Sequence, residues 1–363
     1  MSAKLGLVGL PNAGKSSLFN ALTSGKAQVA PYPFTTKDPN VGVAAVADAR
    51  LAKLAALIPH DKLIPTAVEF VDIAGLVKGA HQGEGLGNQF LSHVFAVDAL
   101  LHVVRCFSDG NVPHPMGECD PVRDVEIINT ELMLKDLEII DRRLEKERKV
   151  AKGGDKHAAA LIEHLTRWKA HLEQGQPMRR APLSVDERPN AFGIDLLTSK
   201  PVIYVANVDE GSDAPSSAER RLSQIAADEG AQVVRLCVKL EADLVELEPA
   251  ERETMMKELG LASSGLPSVI QEGYRLLRYL SFFTTASKMI QAWTVIQGTK
   301  APQAAGVIHT DFERKFISAE VIPVETLIGA GSESSARAKG LVRLEGKEYV
   351  VRDGDVIHFK IGQ

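Results

Sequence analysis

Cysteine is scarce in this sequence: Cys106, Cys119 and Cys237 are the three present among 363 residues. So few, in odd number and so widely spaced, they exclude a disulfide framework and offer no thiolate set for a structural metal. Two of them fall in apolar, strand-like runs, so reduced and inert core thiols are expected. Long apolar runs are absent too, and none approaches the roughly 20 residues that cross a bilayer. The stretch from Met1 to Leu10 has a short apolar run leading straight into a glycine-rich loop, so it reads as a first strand and not a secretory leader. A soluble, cytoplasmic protein with no membrane partner is the expectation. Extreme charge is missing as well, since 42 Lys and Arg against 47 Asp and Glu leave a formal net charge of -5. That balance excludes a global pull toward nucleic acid, so any RNA partner must be met by a local basic surface. No internal repeat or low-complexity tract is visible.

What is there has the length of two or three ordinary domains, at about 100–200 residues each. From Lys4 to about Cys119 short apolar runs (Leu5 to Val8, Ala67 to Val71, Ala99 to Cys106) alternate with helical stretches (Ser16 to Leu22, Gln89 to Val97). Alternation of this kind implies a mostly parallel sheet with helices on its faces, an α/β fold. The pattern resumes at Val202 to Ala206 and at Gln232 to Cys237, and a helix is expected near Ser268 to Leu280. Residues 1–119 and 200–279 are therefore assigned to a nucleotide-binding domain, 120–199 to a helical insertion, and 280–363 to a separate, small, β-rich tail.

In the insertion, apolar residues fall at Met133, Leu137, Ile140 and Leu144, and again at Leu161, Leu165, Trp168 and Leu172, with Gly153-Gly154 between. Two helices folded back through that glycine pair would bury the stripes against each other as an antiparallel coiled hairpin; alternatively the stripes pack on the main core. Around the turn Arg142, Arg143, Lys146, Arg148, Lys149, Lys152 and Lys156 outnumber Glu145, Glu147 and Asp155. The tip is then either a positive surface or a solvated helix face. In the tail, Lys288, Lys300, Arg314 and Lys315 form an RNA-facing patch or, with Asp311 and Glu313 among them, a neutral one.

The run Gly9-Leu10-Pro11-Asn12-Ala13-Gly14-Lys15-Ser16 fits G-x-x-x-x-G-K-[ST] directly after a strand and before a helical run, the context in which the string carries meaning. Glycines turn backbone N–H groups inward to cradle phosphates, and the following helix adds its positive end. Asn12, Ala13, Gly14, Lys15, Ser16 and Ser17 are the expected phosphate contacts, with Lys15 on the β- and γ-phosphates and the Ser16 hydroxyl on Mg²⁺. Later strand ends supply the partners. Glu69 to Leu76 is an apolar strand running into D-x-x-G, in which Asp72 would hold Mg²⁺ through water and the Gly75 N–H would sense the γ-phosphate. Tyr32-Pro33-Phe34-Thr35-Thr36 offers Thr36 as the second metal-binding hydroxyl, with Thr35 as the alternate. The set is that of a GTPase-type nucleotide hydrolase.

These motifs, with Asp38-Pro39-Asn40-Val41-Gly42 and the Gln82 to Leu91 string QGEGLGNQFL, resemble the Obg-related YchF family, the Obg-like ATPases, over nearly the whole chain. The tail strings Ala301 to Gly306, Ile308 to Phe312 and Arg352 to Asp355 resemble that family's TGS domain. The resemblance implies a GTPase-like domain interrupted by a coiled-coil hairpin and followed by a β-grasp TGS domain. It also implies a ribosomal partner, the large subunit or the 70S particle, with rRNA met by the hairpin and the TGS domain.

The base pocket decides between ATP and GTP. GTPases use N-K-x-D to accept two guanine donors on one carboxylate. Here the stretch is Asn207-Val208-Asp209-Glu210, with a glutamate at the aspartate's place and Asp209 one residue too early. Losing a bidentate contact of that kind costs about 1–3 kcal/mol. Asn207 would instead pair with adenine N6 and N7, and the N-x-x-E string resembles that of the ATP-preferring YchF family. ATP is the expected substrate and ADP the product, with GTP minor; the alternative is that Glu210 swings in and preserves guanine. Cys237-Val238-Lys239 is the expected base-covering loop.

For catalysis the expected residues are Lys15, Thr36 and Gly75. Leu76 stands where Ras-type GTPases keep a water-orienting glutamine, so slow intrinsic hydrolysis is expected. Asn12 resembles the asparagine of relatives that use K⁺, which makes K⁺ stimulation a hypothesis. His114 is either a water-positioning residue or a surface histidine without a role. Two readings follow: a slow ATPase switch, or a nucleotide-sensing binding module in which turnover is incidental.

Overall fold

A computed structural model describes residues 4–24, 40–73, 86–212, 214–261, 263–286 and 288–362, for 86–88 the backbone alone. Its strands are β1 (Lys4–Val8), β2 (Val41–Ala45), β3 (Lys62–Ile64), β4 (Ala67–Asp72), β5 (Ala99–Arg105), β6 (Val202–Asn207), β7 (Gln232–Leu236), β8 (Tyr279–Ala286), β9 (Met289–Ile296), β10 (Phe316–Pro323), β11 (Arg343–Glu345) and β12 (Asp355–Ile361). Its helices are α1 (Lys15–Thr23), α2 (Ala49–Leu57), α3 (Leu86–Phe95), α4 (Pro121–Ala151), α5 (Lys156–Glu173), α6 (Ser217–Asp228), α7 (Val238–Glu246), α8 (Pro249–Glu258), α9 (Leu266–Leu276), α10 (Ala301–Ile308), α11 (Thr310–Arg314), α12 (Val324–Ala330) and α13 (Glu333–Ala338).

The first sheet runs β2-β4-β1-β5-β6-β7. Every pairing in it is parallel except that of β2 with β4. All seven residues of β5 are buried, which is why this strand reads as a mainly apolar run, with His102 within it and Arg105 at its end, and not as an alternation. One face of the sheet packs on α1 and α9, with Leu18, Leu22, Val269 and Ile270 against Leu101, Val103 and Val205. The other packs on α3, the first turns of α4, and α6, through Phe90, Val94, Val125, Ile128 and Leu222. The helix expected to reach Leu280 stops at Leu276, because Arg278 adopts a left-handed φ of 54° and β8 begins at Tyr279.

The hairpin has its own core. Met133, Ile140 and Leu144 of α4 meet Leu161, Leu165, Trp168 and Leu172 of α5, and Met178, Ile194 and Leu196 close the cluster. Each such side chain, fully buried, contributes about 1.5–3 kcal/mol, which is what holds two otherwise charged helices together. The stripes therefore face each other, and only the first part of α4 packs on the main sheet. The reversal is local chemistry: Gly154 takes φ 84° and Asp155 caps α5, accepting from the amides of His157 at 2.8 Å and Ala158 at 3.1 Å. Asp120 caps α4 in the same way, accepting from Val122 at 3.1 Å.

The tail differs from expectation. Its sheet runs β11-β10-β12-β8-β9-β3, so its last strand comes from residues 62–64, between β2 and β4 of the first sheet. Leu51 and Leu54 of α2 lie in one apolar cluster with Phe283, Ile290, Ile322 and Val356 of the tail. The tail's sheet and core thus take in β3 and α2 from outside residues 280–363. A short apolar pair such as Leu63-Ile64 carries too little periodicity to reveal which sheet it will join.

Candidate functional site

The segment after β1 is shaped by glycines. Gly9 has φ 151°, and a Cβ there would come within 2.4 Å of the Val103 carbonyl. Gly14 has φ 99°, and a Cβ there would meet the Asn207 amide nitrogen at 2.5 Å. Between them Asn12 also takes a left-handed φ of 64°. Gly14 is the N-cap of α1 and supplies no side-chain acceptor, so the N–H groups of the first turn are left for an anion. Lys15 is 7% exposed, and its Nζ donates to the Leu10 carbonyl at 2.9 Å, inside the loop itself. Burial pulls its ammonium below the ordinary lysine range, and the charge of Asp72 opposes this.

Ser16 and Asp72 come from different elements and meet. The Ser16 hydroxyl donates to Asp72 Oδ2 at 2.8 Å, while Asp72 Oδ1 is buried without a hydrogen-bond partner. An orphaned carboxylate oxygen beside a hydroxyl, both facing a loop built for phosphates, is a hard-oxygen donor set that suits Mg²⁺ and its bound water. Thr36, its alternate Thr35, Gly75 and Leu76 lie outside the described residues.

At the base side, Asn207 ends β6 and is 5% exposed. Its Nδ2 donates to the Ala13 carbonyl at 3.0 Å and its Oδ1 accepts from Val238 N–H at 3.0 Å. These two bonds join the phosphate loop to the start of α7 and use one of the two Nδ2 hydrogens and one of the two Oδ1 lone pairs. Val208 is buried, its N–H bonded to the Leu236 carbonyl at 3.1 Å. Asp209 Oδ2 accepts from Ser108 N–H at 3.0 Å, which holds that carboxylate away from any base, and Glu210 is exposed. Cys237 caps α7 beside Asn207, half-buried.

His114 corrects both expectations made for it. Its side chain is only 3% exposed, its Nε2 lies 2.8 Å from Asp124 Oδ2, and Met116 N–H donates to its Nδ1 at 3.1 Å. Both ring nitrogens are engaged, so in this arrangement the ring is neither idle at the surface nor free to orient water. The same loop reaches the phosphate site by another route, since Asn12 Nδ2 donates to the Pro113 carbonyl at 3.0 Å. Sequence reading missed Arg105, which is 4% exposed and donates to the carbonyls of Phe107 at 3.3 Å and Asp109 at 3.2 Å. A buried cation at the end of an apolar strand was the available signal.

Residues 4–148 match a family model described as a 50S ribosome-binding GTPase, and residues 279–362 match the YchF GTPase C-terminal model, described as a protein of unknown function (DUF933). The chain is similar to the Ribosome-binding ATPase YchF of Bacillus subtilis, at 48% identity over 363 residues covering 99% of each. The protein of that name from Escherichia coli O157:H7 is 46% identical over 359 residues, again covering 99% of each. The chain belongs to the YchF family. The solved YchF GTPase of Schizosaccharomyces pombe superposes with a TM-score of 0.89 at 37% identity, covering 99% of this chain and 98% of that one. The α/β fold with inserted hairpin and C-terminal β-grasp is thus the YchF fold.

Within this YchF chain the thiols divide. Burial pushes Cys106 up to about 12, as an inert core thiol requires. Cys119, in contrast, is exposed, its Sγ 3.3 Å from the Arg105 carbonyl, which corrects its assignment to the core. Of the four cations considered in the tail, Lys300 pairs with Glu348 at 2.6 Å and Arg314 pairs with Asp311, so two of the four charges are neutralised. At the hairpin tip Lys146, Arg148, Lys149, Lys152 and Lys156 are exposed and form no ion pair among the described residues. No described helix is long and apolar enough to cross a membrane.

Proposed function

We propose that this chain is a cytoplasmic, ribosome-binding ATPase that hydrolyses ATP, and GTP less well, to ADP and phosphate as a slow nucleotide-dependent switch. The observation that carries this reading is the meeting of Ser16 and Asp72, with an orphaned carboxylate oxygen, beside a glycine-shaped loop holding Lys15. The amides of Ala13 to Ser17 bind the phosphate oxygens, and Lys15 leaves the Leu10 carbonyl to pair the β- and γ-phosphates. Ser16, Asp72 and Thr36 hold Mg²⁺, which when bound neutralises charge on the phosphates. The Gly75 N–H reports the γ-phosphate. Asn207 holds the phosphate loop and the Cys237-Val238 turn in one frame, and Val208, Glu210 and Cys237 border the base. The side-chain oxygen of Asn12, whose nitrogen is spent on Pro113, is the group offered to K⁺; equal turnover in NaCl and KCl excludes that role.

The ribosomal partner follows from the names of the relatives, and the unpaired lysines of the hairpin tip favour that surface for rRNA over the partly neutralised tail. Binding of Mg²⁺-ATP should weaken about 10- to 100-fold in Lys15→Ala, the loss of a charge-assisted contact worth about 1.5–3 kcal/mol. Wild-type affinity in that variant overturns the reading. A specific observation favours a second reading, a nucleotide sensor with incidental turnover: Leu76 cannot orient water and the His114 ring is held by Asp124. Ribosome affinity in ATP against ADP, measured beside turnover with and without ribosomal particles, separates the two. Affinity insensitive to nucleotide removes the switch.

A further inference from the structure

Asp124 lies in the first turn of α4, at the root of the hairpin, and its side chain is 5% exposed. It holds Nε2 of His114 at 2.8 Å. Since Met116 N–H donates to the Nδ1 of that ring, Nε2 is the protonated nitrogen and Asp124 the acceptor. The residue before His114 is Pro113, whose carbonyl accepts from Asn12 Nδ2 at 3.0 Å. Asn12 occupies a left-handed turn that costs a non-glycine residue energy unless something holds it. The loop is braced elsewhere too, by Arg105 on the carbonyls of Phe107 and Asp109 and by Ser108 N–H on Asp209. Those braces fix its first half; the half that carries Pro113 is tied to the root of α4 by the His114–Asp124 pair, with Arg123 on the Glu118 carbonyl further along.

We infer that Asp124 is a positioning residue for nucleotide binding, acting through the His114 ring and the Pro113 carbonyl to hold Asn12, and with it the phosphate loop, in the anion-binding turn. Asp124 touches no nucleotide. The inference rests on the reading of Gly9 to Ser17 as the phosphate loop, and it extends that reading by placing one end of the site under the control of the hairpin root. A force on α4 is then felt at the phosphates.

The test is calorimetric binding of ADP to the full chain, with melting temperature followed in parallel. Asp124→Ala should weaken ADP about three- to tenfold, the range set by one hydrogen bond worth about 0.5–1.5 kcal/mol. Asp124→Asn, which still offers an acceptor to Nε2–H, should restore affinity to within about twofold. In an Asn12→Ala background, Asp124→Ala should change affinity by less than about twofold, because the link it acts through is already cut. His114→Phe, which keeps the ring shape and removes both nitrogens, cuts the same chain if Asp124→Ala does not fold. Wild-type ADP affinity in the folded variant overturns the inference, as does an undiminished effect in the Asn12→Ala background. Failure of the wild-type chain to bind ADP at all is a different result, and it overturns the phosphate-loop reading itself.

Discussion

The hairpin and the tail are both appended to the central sheet, yet they are joined to it in different ways. The hairpin closes its own apolar core, and its root meets the sheet through Val125 and Ile128 as well as through buried polar clamps on the returning chain. Asp136 accepts from Leu197 N–H at 2.6 Å, Thr198 N–H at 2.8 Å and the Thr198 hydroxyl at 2.6 Å. Arg179 binds Glu229 at 2.6 Å and Asn129 at 2.5 Å, and Tyr204 donates to Glu229 at 2.7 Å. The tail has instead taken β3 into its sheet and α2 into its core, with Arg50 reaching Asp353 at 2.6 Å across the join. Polar clamps are few and directional, and at the hairpin root they stand beside the apolar contacts of Val125 and Ile128. The tail, with β3 in its sheet and α2 in its core, is joined to the central sheet by the chain on either side of them.

The largest effect that bears on this contrast comes from Glu229→Ala, which leaves Arg179 buried and unpaired where the two side chains are 0% and 6% exposed. A loss of about 3–5 kcal/mol in denaturant unfolding is expected. A loss under about 1 kcal/mol would mean that apolar packing, not the clamp, holds the hairpin root. Next is Leu54→Ala, which empties a fully buried position in the core shared by α2 and the tail. It should cost about 2–5 kcal/mol, and amide protection should fall together in β3, β9 and β4. Loss confined to α2 would separate the tail from the sheet after all.

The smallest effect is a pH slope. Burial lifts the Asp136 carboxyl to about 6, against the pull of its three hydrogen-bond donors. In the unfolded chain it titrates near about 3.9, so the folded state holds the proton more tightly. Its contribution to stability is complete below about pH 4 and is lost as the pH rises through about 6. Asp136→Asn should flatten that part of the profile, and an unchanged slope would show that the clamp does not titrate there.

Much of the site is legible in the amino-acid sequence. The phosphate loop can be read because its conformation is dictated locally, by Gly9 and Gly14 at φ of 151° and 99°, which side chains rarely adopt. The hairpin can be read because a four, three, four spacing of apolar residues is itself the record of a helix with a buried face. The base side is less legible for a physical reason: Asn207 has polar partners on two other elements, and a strand-end amide shows in sequence only that it can bond, not to what. His114 fails in the same way, since its partner Asp124 belongs to a helix whose rotation no spacing reports.

By itself, then, the sequence determined what depends on near neighbours: the turn that cradles phosphate, the two facing stripes and their glycine reversal, and the alternation that makes the parallel sheet. The tertiary structure alone decided what depends on distant segments meeting. It brought Asn12 to Pro113 across 101 positions, Asn207 to Ala13 across 194, and Arg50 to Asp353 across 303. Local backbone preference is written into each short stretch of chain, whereas the partner of a buried polar group is settled only when packing brings the elements together.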